Sequence, residues 1–248
     1  MIKRNPIISA KNLSVLYGNR SIIEGISFAI YPGEVLMIIG GSGCGKTTLL
    51  NALIGLHEDL TGEIIIDDDN LINANDIQKQ KILKKIGVMY QSGALFGSMT
   101  LLENVMFPLE ELSDFPKNAI ESIAKSKLEM VGLGNFGDYM PAEISGGMQK
   151  RAAIARAMAL EPKILFLDEP SAGLDPTTSA QLDNLIILLS QTLGITFVIV
   201  SHELASIYNI ASRVIMLHNK KIIAEGNPKT LSKIATNEIV TNFFNRKA

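Results

Sequence analysis

At 248 residues with 47% hydrophobic content, the chain is long enough to bury a large core and reads as one compact unit, not two separable domains. Its net charge of −2 gives no electrostatic footprint for nucleic acid, and its single cysteine, Cys44, excludes an internal disulfide and suits a reducing compartment. No apolar run approaches the ~20 residues needed to cross a bilayer, and Met1-Ile2-Lys3-Arg4-Asn5-Pro6 lacks the apolar segment of a secretory signal, so the sequence predicts a chain that stays in the cytoplasm.

From the N-terminus, residues 7–15 and 26–30 alternate in the manner of antiparallel strands. Residues 34–39 form a continuous apolar run, which predicts a strand buried on both faces. That run leads into Gly40-Gly41-Ser42-Gly43-Cys44-Gly45-Lys46-Thr47, which fits G-x-x-x-x-G-K-[ST]. Glycines there let the backbone wrap closely and aim N–H groups at phosphate oxygens. Residues 48–54 read as the helix whose N-terminus, partly positive, faces the anion. Lys46 is expected at the β- and γ-phosphates of a nucleotide, and the Thr47 hydroxyl on Mg²⁺. Gly40, Ser42, Gly43, Cys44, Gly45 and Thr48 complete the expected cradle. Cys44 occupies a variable slot and reads as filler, with a reactive thiol as the alternative.

Residues 61–67 predict another strand ending in an acidic turn, and from about 93 to 159 the pattern turns helical. Residues 119–125 place apolar side chains at i, i+3 and i+4. The segment after Gln91, with Leu95, Phe96 and Met99, is too apolar for a simple solvated loop. Residues 163–169 form an apolar strand ending in Asp168 and Glu169. Asp168 is suited to contact Mg²⁺, and Glu169 to orient and deprotonate an attacking water. A solvated turn is the plainer reading of such an acidic pair. Buried strands are predicted at residues 164–167 and 195–200, and a hairpin around Asn219 joins residues 214–217 to 221–224. His57 and His218 lack metal-ligand neighbours and read as surface or turn residues. Met37, Met89, Met158 and Met216 fall inside apolar elements as core filler. The tail, residues 239–246, carries Phe243 and Phe244, which are expected either to fray or to dock on a helical lobe or a second subunit.

Ser145-Gly146-Gly147-Met148-Gln149, lying before Asp168-Glu169, gives the chain a clear resemblance to the ATP-binding-cassette (ABC) ATPases. It resembles that family's signature loop. Residues 171–175 resemble its D-loop, Gln91 its Q-loop glutamine, His202 its switch histidine, and Tyr17 the aromatic that stacks on adenine. Ile144, Met148 and Ala172 depart from the usual residues without removing a group needed for phosphate chemistry. The resemblance implies an α/β P-loop NTPase, an ABC-type nucleotide-binding domain with an N-terminal antiparallel β subdomain and a helical lobe. It implies one domain over 1–248, with a core of about 1–91 and 160–248 and the lobe at about 92–159.

It further implies a head-to-tail homodimer in which ATP lies between one copy's phosphate loop and the other's Ser145, Gly146 and Gly147. Glu169, His202 and Gln91 would be catalytic, with Thr47, Gln91 and Asp168 around Mg²⁺. Leu95, Phe96 and Met99 would help form a groove for a helix of a membrane permease. More narrowly, residues 91–96 and 104–110 resemble the ATPases of Mla/Mce-type phospholipid-trafficking systems, including those once labelled toluene-tolerance proteins. That likeness implies an ATP-hydrolysing subunit at the cytoplasmic face of a bacterial inner membrane, moving phospholipid or other hydrophobic cargo, with a permease and an Mce-domain protein as partners and no nucleic acid. The alternatives are an amino-acid or ion importer subunit and a soluble ABC ATPase of cofactor assembly.

Overall fold

The structure is a computed structural model that describes residues 5–246; Met1 to Arg4, on which the missing-signal expectation largely rests, lie outside them. The chain opens with a hairpin, β1 (Ile8–Tyr17) and β2 (Arg20–Ile30), followed by β3 (Val35–Gly40) and α1 (Lys46–Leu53). Next come β4 (Leu60–Ile66), a short β5 (Asp69–Asn70), α2 (Asp76–Leu83) and β6 (Ile86–Met89). Three helices then run without a strand between them: α3 (Leu101–Leu112), α4 (Lys117–Met130) and α5 (Gly146–Ala157). The remainder alternates: β7 (Ile164–Asp168), α6 (Pro176–Leu193), β8 (Thr196–Val200), α7 (Leu204–Ile210), the hairpin β9 (Arg213–His218) and β10 (Lys221–Gly226), then α8 (Pro228–Ile234) and α9 (Glu238–Asn245).

Two sheets result. The smaller is antiparallel, in the order β2-β1-β4-β5. The larger, β10-β9-β3-β8-β7-β6, is parallel except for β10, which returns along β9 through Asn219 and Lys220, both at positive φ as a tight two-residue turn requires.

The period-2 geometry of a strand explains why the central strands read as unbroken apolar runs. On β3, Leu36 and Ile38 enter one core cluster while Met37 and Ile39 enter the other. Ile164 and Phe166 of β7 likewise face away from Leu165 and Leu167, and Val198 and Val200 of β8 away from Phe197 and Ile199. One core lies between the large sheet, α1 and the small sheet; the other lies between the large sheet, α3 to α7 and the C-terminal helices. A sheet covered on both faces presents only its strand ends to solvent, so those ends carry the chemistry.

The helices start where local hydrogen bonding dictates. Asn75 caps α2 and Thr100 caps α3, each in a reciprocal capping box. Asp175 caps α6 by accepting from Thr177 N and Thr178 N. Met37, Met89, Met158 and Met216 are all buried in the core.

The tail neither frays nor docks on α3 to α5. Phe244 is buried in the second core with its ring 5.8 Å from Tyr208 of α7, because α9 is strongly amphipathic and α7 and α8 leave an apolar face open to it. Phe243 is half-buried beside it and lines a cavity of about 640 Å³ with Asp183, His202 and Glu203. Phe244→Ala should therefore lower the unfolding free energy by about 3 kcal/mol, as in other large-to-small core changes, in chemical denaturation monitored by circular dichroism.

Candidate functional site

Strand register brings the site together. Ile38 of β3 pairs with Val200 of β8, and Val200 pairs with Asp168 of β7, so Gly40, Asp168 and His202 leave from the same end of three neighbouring strands.

Gly40 leaves β3 with φ 144°, and a Cβ added there would stand 2.4 Å from the Leu217 carbonyl oxygen. Any side chain at this position would push the loop off the sheet. The loop ends at Gly45, which caps α1 without any side-chain acceptor, so the first-turn N–H groups remain available to an anion. Lys46 Nζ donates to the carbonyls of Gly40 (3.0 Å) and Gly41 (2.9 Å), which lays its charge across the loop. Closely wrapped backbone, uncapped helix N-terminus and ammonium group together fit the charge of a polyphosphate.

The opposite wall is acidic. Asp168 is only 7% exposed, and Thr47 Oγ1 lies 3.4 and 3.5 Å from its two carboxylate oxygens, the outer limit of a hydrogen bond. Burial first, and then the charge of Glu169, push the Asp168 carboxyl above its ordinary pKa; Thr47 and Lys46 oppose that rise. A hydroxyl and a buried carboxylate are the hard oxygen donors that Mg²⁺ prefers, so these residues fit the ion. Among the described residues no group of three or more His, Cys, Asp and Glu could hold a metal, so a cation here would depend on Thr47, Asp168 and the oxygens of the nucleotide itself. Tyr90 shares this corner, its phenol pushed up by burial and by the Asp168 charge.

Glu169 stands at φ 47°, a left-handed conformation that is strained for a side chain of this size. Its Oε1 lies 2.8 Å from His202 Nδ1, which donates in the matching tautomer. Its Oε2 is buried without a partner. An orphaned buried carboxylate oxygen costs about 1–3 kcal/mol, which marks a position ready to receive a donor such as a water molecule. His202 is 64% exposed, so its outer edge is open to a ligand.

Gln91 follows β6 and lines a cavity of about 370 Å³ with Tyr90, Ser92 and Asp168, which brings it into the same corner. Tyr17 ends β1 and is 56% exposed, and the His57 ring meets its ring edge-on at 4.5 Å. His57, which reads as a surface or turn residue from the sequence, therefore braces the aromatic platform. No linear pattern announces that contact, because it joins the end of β1 to the segment after α1.

Ser145, Gly146 and Gly147 stand elsewhere. Ser145 caps α5, its Oγ accepting from Met148 N at 3.3 Å, and both Ser145 and Gly146 are exposed. Gly147 is buried against α6, where an added Cβ would lie 2.4 Å from Thr178 Cγ2. Their neighbours within the chain are Leu174 and Thr178, on and before α6, and not residues 40–48.

The apolar groove also differs from the expectation. Its lining includes Leu83, Ile86, Val88, Tyr90, Ala94, Phe96, Phe107, Pro108, Leu112, Arg156 and Leu160, around about 450 Å³. Phe96 faces it, but Leu95 is half-buried against the helices' core and Met99 does not line it. Consecutive residues leave this irregular backbone on opposite sides, so an apolar run cannot present all its side chains to one surface.

The ABC transporter family profile matches residues 23–172. The chain is 40% identical over 225 residues to the intermembrane phospholipid transport system ATP-binding protein MlaF of Escherichia coli K12, covering 91% of this chain and 84% of that protein. It is 37% identical over 238 residues to the "Probable ribonucleotide transport ATP-binding protein mkl" of Mycobacterium leprae, covering 96% of this chain and 68% of that one. Among solved structures it resembles a dimeric post-hydrolysis state of the ATP-binding cassette MJ0796 bound to ADP and Pi, with TM-score 0.80 and 31% identity over 89% of this chain and 98% of that one.

Because the folded state favours protonated Asp168, it binds more protons than the unfolded chain as pH rises from the ordinary carboxylate pKa to the raised one, and stability falls across that window. Above the raised pKa the full penalty is present. Asp168→Asn should therefore raise the melting temperature of the ligand-free protein by about 2–4 °C at pH 7, the shift that ~1 kcal/mol gives a chain of this size. The gain should vanish well below pH 4, where Asp168 is protonated in both states, as scanning calorimetry at several pH values would show.

Proposed function

Since this chain belongs to the ABC transporter family and is the ATP-binding, ATP-hydrolysing subunit of a membrane transporter, we propose that its cargo is phospholipid or a related hydrophobic molecule. The observation that supports this cargo is the 40% identity to MlaF, named for intermembrane phospholipid transport, over nearly the whole chain. No helix among the described residues is long and apolar enough to cross a membrane, which agrees with a peripheral subunit carried by a permease. We place it at the cytoplasmic face of a bacterial inner membrane, working as a dimer, with an Mce-domain protein in the same assembly. Residues 92–159 serve as the lobe in this reading, and the groove lined by Phe96, Phe107 and Pro108 as the seat of a permease helix.

The chemistry proposed for the site follows its geometry. The residues of the phosphate loop bind and orient the triphosphate, with Lys46 neutralising charge on the transferring group. Tyr17, braced by His57, stacks on the base. Thr47, Asp168 and Gln91 would hold Mg²⁺, which when bound offsets negative charge on the β- and γ-oxygens. Glu169 takes a proton from the attacking water at its free oxygen, while His202 fixes the other carboxylate oxygen and keeps the group aimed. Ser145, Gly146 and Gly147, exposed or backed by α6, supply the far side of the pocket to a second copy.

Glu169→Gln should retain ATP binding, lower turnover by on the order of 10³-fold and accumulate closed dimers on gel filtration with ATP; near-normal steady-state activity would refute this choice of base. Lys46→Ala should weaken binding itself, by about tenfold or more in a fluorescent-nucleotide titration. Cargo is tested by affinity capture from detergent-solubilised membranes. A multi-span permease with an Mce-domain protein supports lipid traffic; a permease recovered with a soluble nucleotide-binding receptor would favour the reading suggested by mkl.

A further inference from the structure

The segment that follows Gln91 has no helix or strand of its own from residue 91 to 100, yet its backbone is densely held. Six of its carbonyls accept from the side chains of Lys150, Arg156 and Asn104. Asn104, fully buried on α3, donates to Phe96, Met99 and Thr100 and accepts from Phe96 N, so it fastens the far end. The near end is fastened from α5. Lys150, 8% exposed, donates to the Gln91 carbonyl. Arg156 spans the next turn, Nη2 to Gly93 O at 2.9 Å and Nη1 to Ala94 O at 2.7 Å, with its guanidinium 5.6 Å from the centre of the Phe96 ring. That fork holds Ala94 at φ 48°, a conformation that a loose loop would relax.

Charge makes this arrangement unusual. Among the described residues neither Lys150 nor Arg156 has a carboxylate partner, and burial pulls the pKa of both below its ordinary value. A desolvated cation bonded only to neutral carbonyls is a costly tie, whereas Asn104 shows that a neutral amide can anchor the same segment. Both cations also project from the helix that Ser145 caps, whose exposed N-terminal end meets a second copy in the function proposed above. One stiff element thus carries an exposed end at one site and grips Gln91 at the other.

We propose that Lys150 and Arg156 are positioning residues that lock the main chain of Gln91 to Ala94 onto α5, so that a displacement of the Ser145 end of that helix moves the Gln91 side chain and the Phe96 wall of the groove together. The proposal rests on the reading of Gln91 as a catalytic residue given above. Neither cation touches nucleotide in this scheme. Lys150 acts through the placement of Gln91, and Arg156 through the shape of the turn that follows.

The test uses the full-length chain and steady-state ATP hydrolysis with Mg²⁺. Lys150→Met should lower kcat by about tenfold, less than the ~10²-fold that a full 1 Å misplacement can cause, while KM for ATP stays within about twofold. A kcat within about twofold of wild type overturns the proposal. In a Gln91→Ala background, where the side chain to be positioned is gone, Lys150→Met should change kcat by less than about twofold; a second, independent loss would show that Lys150 acts by another route and overturn it. If Gln91→Ala alone leaves kcat unchanged, the catalytic reading of Gln91 fails and takes this inference with it, whereas a deficient Gln91→Ala beside an active Lys150→Met removes the inference alone. Should Lys150→Met not fold, Arg156→Lys decides: it keeps charge and stem but cannot span two carbonyls, and is expected to lower kcat by about threefold or more with KM unchanged. Wild-type kcat in that variant overturns the proposal.

Discussion

The arrangement at the end of β7 depends on a repulsion that the protein cannot relieve by itself. Asp168 and Glu169 are consecutive, both largely buried, and share one corner in which the Lys46 charge opposes the rise in the Asp168 pKa. Burial and the neighbouring Glu169 charge both work against ionising Asp168, and Glu169 adds a left-handed backbone and an oxygen without a donor. Such a corner is a standing cost to the fold, tolerated because β3, β7 and β8 are clamped on both faces by the two cores. A ligand that brings a divalent cation and a water molecule would relieve the two defects at once. Binding energy is thereby coupled to the groups that would act on the γ-phosphate.

The same clamped sheet explains why Ser145 stands apart from the phosphate loop within one chain. Strand ends can present the phosphate loop, Asp168, Glu169 and His202 from one chain, because register fixes their mutual distances. They cannot also present Ser145, which caps a helix packed against α6 with Gly147 in van der Waals contact range of Thr178. In the segment that begins at Gln91, the side chains of Lys150, Arg156 and Asn104 replace the regular hydrogen bonding that this irregular stretch lacks. The segment is thus held by side chains of α3 and α5 and not by a strand ladder.

Several parts of this picture were legible in the linear chain, and for identifiable reasons. The phosphate loop, the strand before it and the helix after it are local: glycine spacing, an apolar run and a 3.6-residue pattern each act over a few positions. Asp168 and Glu169 announced themselves by closing an apolar strand, and the hairpin at Asn219 by its turn residue. Which side chains of the segment after Gln91 share a surface was not legible, with Leu95 turned inward and Phe96 lining a cavity beside Phe107, Pro108 and Leu112, because an irregular loop has no period from which facing can be read. The docking site of Phe244 on α7 was equally hidden, since nothing near it in sequence states which apolar face lies open.

The sequence by itself determined the element types, the two-sided burial of the central strands and the chemistry of the phosphate cradle, since all of these are set by residue identity and short-range periodicity. Only the tertiary structure decided that His57 braces Tyr17, that His202 grips one oxygen of Glu169 and leaves the other bare, and that Lys150 and Arg156 of α5 hold the chain from Gln91 to Ala94. Each of those is a contact between segments far apart along the chain. Their partners are selected by strand register and helix packing, which no single stretch of residues encodes.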